Sequence, residues 1–185
     1  MLSIDLTEGD PAYVKWFLAS VLYSKPIREE SATKTYRLFE ENGLTTADSI
    51  VRAGWDRLVA ILDRGGYTRY DYSTADRLLE IFGNLQKDYG GSLSRLYRES
   101  GDEKDLERRL AGLGKGIGPV TISVFLRDMR HVWPRADPEP TSKIKTMMSS
   151  LGIGDLKLCA KEQGVDIIRL ETALHRRSRS IKKRI

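Results

Sequence analysis

The chain has 185 residues, enough for one core or two small lobes, and its 31 Lys and Arg against 26 Asp and Glu give a charge of +5 that favours an acidic partner. A single cysteine, Cys159, excludes an internal disulfide, a cysteine-rich zinc site and a four-cysteine iron–sulfur cluster, and two histidines are too few for a histidine-built metal site. No apolar run approaches the ~20 residues of a membrane helix, and the N-terminus lacks a signal peptide's basic start and apolar stretch, so a soluble intracellular protein, cytoplasmic or nucleoid-associated, is expected.

Apolar spacing is helical along most of the chain. Asp10-Pro11 reads as a helix start, followed by the stripe Val14, Phe17, Leu18, Val21 and Leu22. Gly43 reads as a helix C-cap. Trp55, Leu58, Val59 and Leu62 repeat the spacing and stop at Gly65-Gly66. Ser73-Thr74-Ala75-Asp76 looks like the next start, with Leu78, Ile81, Phe82 and Leu85 behind it and Gly90-Gly91 at its end. After Gly101, residues 102–114 predict an amphipathic helix, then a tight glycine turn, then a helix from Pro119 to about Val132 striped by Ile122, Phe125, Leu126, Met129 and Trp133. Asp137-Pro138 reads as a further helix start, before Ile144, Met147, Met148 and Leu151. Gly152 is read as a C-cap and Asp155 as an N-cap. Leu156 to Ala160 reads as a helix in which Cys159 is a small buried residue. These stripes are read first as core. The expectation is an all-α fold of about ten short helices, without tandem repeats or a low-complexity linker.

The last stretch, from Leu174 to Ile185, carries six Lys or Arg and no acid, more than the whole net charge. It reads either as a tail that lies along phosphates or as a solvated helix end whose cations complement the dipole.

The most informative segment is Lys115-Gly116-Ile117-Gly118-Pro119-Val120-Thr121, with Asp137 nineteen residues after Gly118. In a Gly-Ile-Gly turn the first glycine can take a positive φ and the second lets another backbone come close. The helix that follows offers unpaired amides and a positive dipole end to an anion, and Pro119 suits its first position. The plainer reading is a helix–helix turn.

Helix, hairpin turn and helix, followed by an aspartate at this distance, resemble the helix–hairpin–helix DNA glycosylase superfamily, the endonuclease III-like and AlkA-like base-excision enzymes. Two upstream segments extend the likeness. Trp16 to Lys25 is similar to the family's early helix, which ends near the extruded base, and Arg64-Gly65-Gly66-Tyr67-Thr68-Arg69-Tyr70 resembles its glycine–tyrosine turn. Coverage is roughly residues 11–150 with a shorter C-terminal part. The resemblance implies a single unit over residues 1–185 with two helical lobes and an intervening cleft. One lobe would span about 28–130 with the hairpin at 114–119, and the other about 1–27 plus 131–185.

The resemblance further implies a DNA glycosylase acting on double-stranded DNA with a damaged or mismatched base, as a monomer. Bifunctional members carry a lysine two positions after the second hairpin glycine, and Val120 stands there. Hydrolysis without strand cleavage is therefore expected, and no iron–sulfur cluster. Asp137 is the candidate catalytic carboxylate, read alternatively as an N-cap, with Glu139 as a competitor. The DNA contacts would be Lys115, Gly116, Ile117, Gly118, Val120 and Thr121, with a monovalent cation on the hairpin carbonyls. Lys25 would fill the gap left by a flipped base or touch the opposite strand, or is a plain surface lysine. Tyr67, Tyr70, Tyr72 and Trp133 are candidates for stacking on the base, each with a core alternative. Arg127 and Arg130 read as helix-surface residues. No metal site is expected. The alternatives are a non-catalytic helix–hairpin–helix DNA-binding protein and, third, a helical scaffold that binds proteins.

Overall fold

The computed structural model describes the backbone of residues 2–182 and the side chains of residues 2–178. The side chains of the basic tail beyond Ser178 lie outside the described residues. Among the described residues there is no strand. A 3-10 turn (Leu6–Glu8) precedes ten α-helices: α1 (Asp10–Tyr23), α2 (Glu29–Glu41), α3 (Ala47–Gly65), α4 (Asp71–Tyr89), α5 (Leu93–Glu99), α6 (Glu103–Gly112), α7 (Pro119–Met129), α8 (Ser142–Ser150), α9 (Leu156–Glu162) and α10 (Ile167–Lys182). The protein is all-α.

The stripes explain the packing. Phe17, Leu18 and Leu22 of α1 meet Phe39 of α2, Leu58 and Leu62 of α3, Leu78 and Phe82 of α4, and Phe125 of α7 in one buried cluster. A second, smaller cluster joins Ile144, Met147 and Met148 of α8 to Leu156 of α9 and Leu174 of α10. The first helix thus belongs to the larger core, which the early segment had been expected to leave for the C-terminal helices. The reason is that α1 is buried nearly all round, from Ala12 to Leu22, and only a core with neighbours on several sides satisfies such a helix.

Three local expectations change. The stripe containing Trp55 breaks because Gly54 adopts φ 73° and ψ 170° inside α3, which resets the helical phase and leaves Trp55 39% exposed against Tyr72. The fourth helix begins at Asp71, a few residues before the expected Ser-Thr-Ala-Asp start. Asp137-Pro138 does not start a helix. The chain stays extended to Thr141 and α8 opens at Ser142.

Candidate functional site

The hairpin is fixed at both ends. Asp102 caps α6 by accepting the Asp105 amide, and Asn84 of α4 donates to the Leu113 carbonyl at 2.9 Å. Leu113 and Ile117 are buried in the core and hold the two legs of the turn. Gly116 has φ +99°, the left-handed region that favours glycine. The Thr121 hydroxyl donates to the Gly116 carbonyl, and Gly118 is extended, with Pro119 as first residue of α7. Ile117 and Thr121, expected at the DNA, therefore keep their side chains inside and leave only backbone to offer. Lys115 and Val120 are exposed. First-turn amides of α7 have no intrahelical acceptor.

Two cations lie over this turn. A Cβ placed on Gly116 would sit 2.9 Å from Arg77 Cδ and 3.5 Å from Lys25 Nζ. Neither side chain takes part in an ion pair among the described residues. Burial, and then the Arg77 guanidinium, press the Lys25 ammonium below the usual lysine range. Uncompensated like charges beside free amides form a place that an anion would complete. The monovalent cation implied by the resemblance fits this turn poorly, since Lys25 and Arg77 already bring positive charge to it.

Beyond α7 the chain doubles back along the helix. Ser123 donates to the Glu139 carbonyl at 3.0 Å, and Arg130 Nη2 donates to the Pro138 carbonyl at 3.0 Å. These bonds set the loop that carries Asp137. Arg130 is not a surface residue: its side chain is 9% exposed and its Nη1 lies 2.6 Å from Oε2 of Glu171, which is 1% exposed on α10. Breaking a buried pair of this kind costs roughly 3–5 kcal/mol, so Arg130 and Glu171 pin α10 to the end of α7. Asp137 faces two cations, with Oδ1 3.8 Å from Arg130 Nε and Oδ2 paired with Lys157 Nζ of α9. It lines a cavity of about 470 Å³ whose walls include Met148, Ile153 and Ile167. That volume lies in the range of small-molecule sites. A smaller cavity of about 300 Å³ between α4 and α6 is lined by Asp88 and by Arg108 and Arg109, both paired with Asp105.

The expected stacking residues are distributed otherwise. Tyr67 is fully buried and its hydroxyl donates to the Leu22 carbonyl at 2.7 Å. Trp133 is 3% exposed, stacked on Tyr97 with ring centroids 4.6 Å apart and edged by Phe125 and Tyr13. Both rings are core, Tyr67 with its hydroxyl satisfied by the Leu22 carbonyl and Trp133 through its contacts with other rings. Tyr70 is partly buried at the edge of the larger cluster, and Tyr72 is exposed beside Trp55. Glu139 is exposed and paired with Lys145 at 2.7 Å. The sequence reading missed Arg77, Lys157 and Glu171. None sits in a motif, and each gains its place only through tertiary packing.

No family model, curated protein or solved structure matches the chain.

Proposed function

We propose that the protein binds duplex DNA and hydrolyses the N-glycosidic bond of a base turned out of the helix. The observation that carries this reading is the joining of two features on α7. The hairpin with Lys25 and Arg77 stands at its start, and the loop that returns along it carries Asp137 into the wall of a cavity. The first would hold a backbone phosphate and the second would receive the extruded base.

In the reaction the C1′–N bond breaks and positive charge develops on the sugar. The Asp137 carboxylate stabilises that charge and accepts a proton from the attacking water, whose oxygen bonds to C1′. The bonding pair of the C1′–N bond leaves with the base, whose nitrogen takes up a proton from solvent while Asp137 returns to solvent the one it accepted from the water, and the strand stays whole.

The test is incubation of the protein, and of Asp137→Asn, with labelled duplexes carrying uracil, mispaired thymine, hypoxanthine, alkylated adenine or oxidised guanine. Breaks that need alkali and vanish in the variant are expected. Breaks without alkali would place a lysine nucleophile in the site. One observation favours a second reading, a DNA-binding protein without chemistry: Arg130 and Lys157 already offset the charge of Asp137. Retained DNA binding with no base release from any duplex would establish it.

A further inference from the structure

Trp133 is buried and Trp16 partly so, but Trp55 is exposed and lies against Tyr72, whose residue surface is 61% exposed. The two ring centroids are 5.2 Å apart with their planes tilted by 37°. Gly54 brings this about. Its φ of 73° and ψ of 170° fall in a region open essentially to glycine alone, of the kind that concentrates at functional sites. Asp76, one turn after Tyr72 on α4, accepts the Trp55 indole N–H through Oδ1 at 2.8 Å. Its Oδ2 has no partner, and Asp76 takes part in no ion pair, among the described residues. Cations close by in sequence are engaged elsewhere. Arg52 pairs with Asp48, Arg57 donates to Asn42 Oδ1 at 3.4 Å, and Arg77 lies at the hairpin beside Gly116. Among the described residues the cation that stands over a ring is Arg135, on Tyr97, and none stands over Trp55 or Tyr72.

We propose that Trp55, Tyr72 and Asp76 form a docking point for an arginine side chain of a basic partner protein. The faces of exposed rings attract a cation, and the free oxygen of Asp76 beside them supplies the opposite charge. A guanidinium is planar, so it can stack on a ring while its edge donates to the carboxylate, which the point charge of a lysine ammonium matches less well. Nucleic-acid bases also stack on exposed rings, but a strand here would bring its phosphates toward an unpaired carboxylate. Adjacent positions on a helix do not share a face. Arg77 accordingly turns to the hairpin while Asp76 turns to the rings, so the docking point and the proposed phosphate site lie on different faces of α4. The inference does not depend on the glycosylase reading.

Titration of the intact protein with an arginine–glycine peptide, followed through the indole N–H signals in NMR spectra, tests this, because Trp55 reports separately from Trp16 and Trp133. A net charge of +5 works against unspecific uptake of a cationic peptide. The peptide is expected to shift the Trp55 signal and leave the other two in place. It should bind about tenfold more tightly than the same peptide with citrulline, which keeps the shape and loses the charge, and several-fold more tightly than the lysine version. Asp76→Asn and Tyr72→Ala are each expected to weaken the arginine peptide by about fivefold or more. Both side chains are exposed, so melting temperatures should change little. If one variant unfolds, the other and the citrulline comparison still decide. No binding, equal binding of the citrulline peptide, or indifference to both substitutions would overturn the proposal. So would oligothymidine shifting the Trp55 signal where the peptide does not, which would make the rings a nucleic-acid platform. A Trp55 signal that moves with protein concentration and ignores the peptide would give the surface to a second copy of the chain, and would overturn it equally.

Discussion

Asp137, in the loop after α7, and Lys157, on α9, lie twenty residues apart and form an ion pair at the edge of the cavity. The ammonium offsets the charge that the proposed chemistry would turn on the sugar. Its side chain is 64% exposed, and exposed pairs are worth only about 0.2–1 kcal/mol, so a substrate can displace it. Lys157→Ala is expected to raise single-turnover base release by up to about fivefold, the factor that ~1 kcal/mol represents. Slower release would make Lys157 part of the machinery and not a competitor for the carboxylate.

The first helix of the hairpin should be sensitive to acid through Asp105. The Gly101 amide, then the guanidinium of Arg109, with Arg108 also contributing, hold the Asp105 carboxyl at about 2, below its ordinary 3.8. A carboxylate depressed on folding contributes stability above its unfolded value, and that contribution drains away as pH falls through the folded one. Wild-type protein is expected to lose stability between pH 3.8 and about 2 more steeply than Asp105→Asn, measured as urea midpoints across that interval. Parallel pH profiles would show that Asp105 contributes nothing to holding α6.

The two hairpin glycines should separate backbone strain from ligand contact. A side chain on Gly116 is forced into the left-handed region and meets Arg77, so Gly116→Ala is expected to destabilise the fold by about 1–2 kcal/mol. Gly118 has φ −102° and open space where a Cβ would stand. Gly118→Ala should raise stability by roughly 0.4–1 kcal/mol through the unfolded chain. If DNA backbone approaches that point, the same variant should bind duplex several-fold more weakly. Unchanged duplex affinity in Gly118→Ala would reduce the hairpin to a plain helix–helix turn.

Much of this fold could be read from periodicity because its helices carry full stripes: Phe17, Leu78, Phe82 and Phe125 are buried where the spacing puts them. The hairpin was legible for a similar reason, since Gly116 and Pro119 are demanded by local backbone geometry. What stayed hidden depends on long-range packing. Gly54 shifts the phase of α3 at one residue and exposes Trp55. The Asp137 loop is set by Ser123 and Arg130 instead of by a cap. Tyr67 and Trp133 carry types that suit a cleft and a core equally, so only the neighbours decide.

Lys25 gives the sharpest separation of a functional cation from an idle one. Burial and Arg77 lower its affinity for a proton in the folded protein. Between that lowered value and the ordinary 10.5, the unfolded chain binds more protons than the native state, so the stability cost of Lys25 is present below this interval and fades as pH rises through it. Lys25→Met is accordingly expected to raise the melting temperature at neutral pH, with the gain shrinking toward alkaline pH. If Lys25 and Arg77 together hold a phosphate, the same variant should bind duplex more weakly and lower the slope of log affinity against log salt by about 0.9. A bound phosphate would also reverse the repulsion and favour the charged ammonium, so duplex binding near the lowered value should take up a proton. A more stable variant with unchanged affinity and unchanged salt slope would remove Lys25 from the DNA interface and leave it a cation crowded by the fold alone.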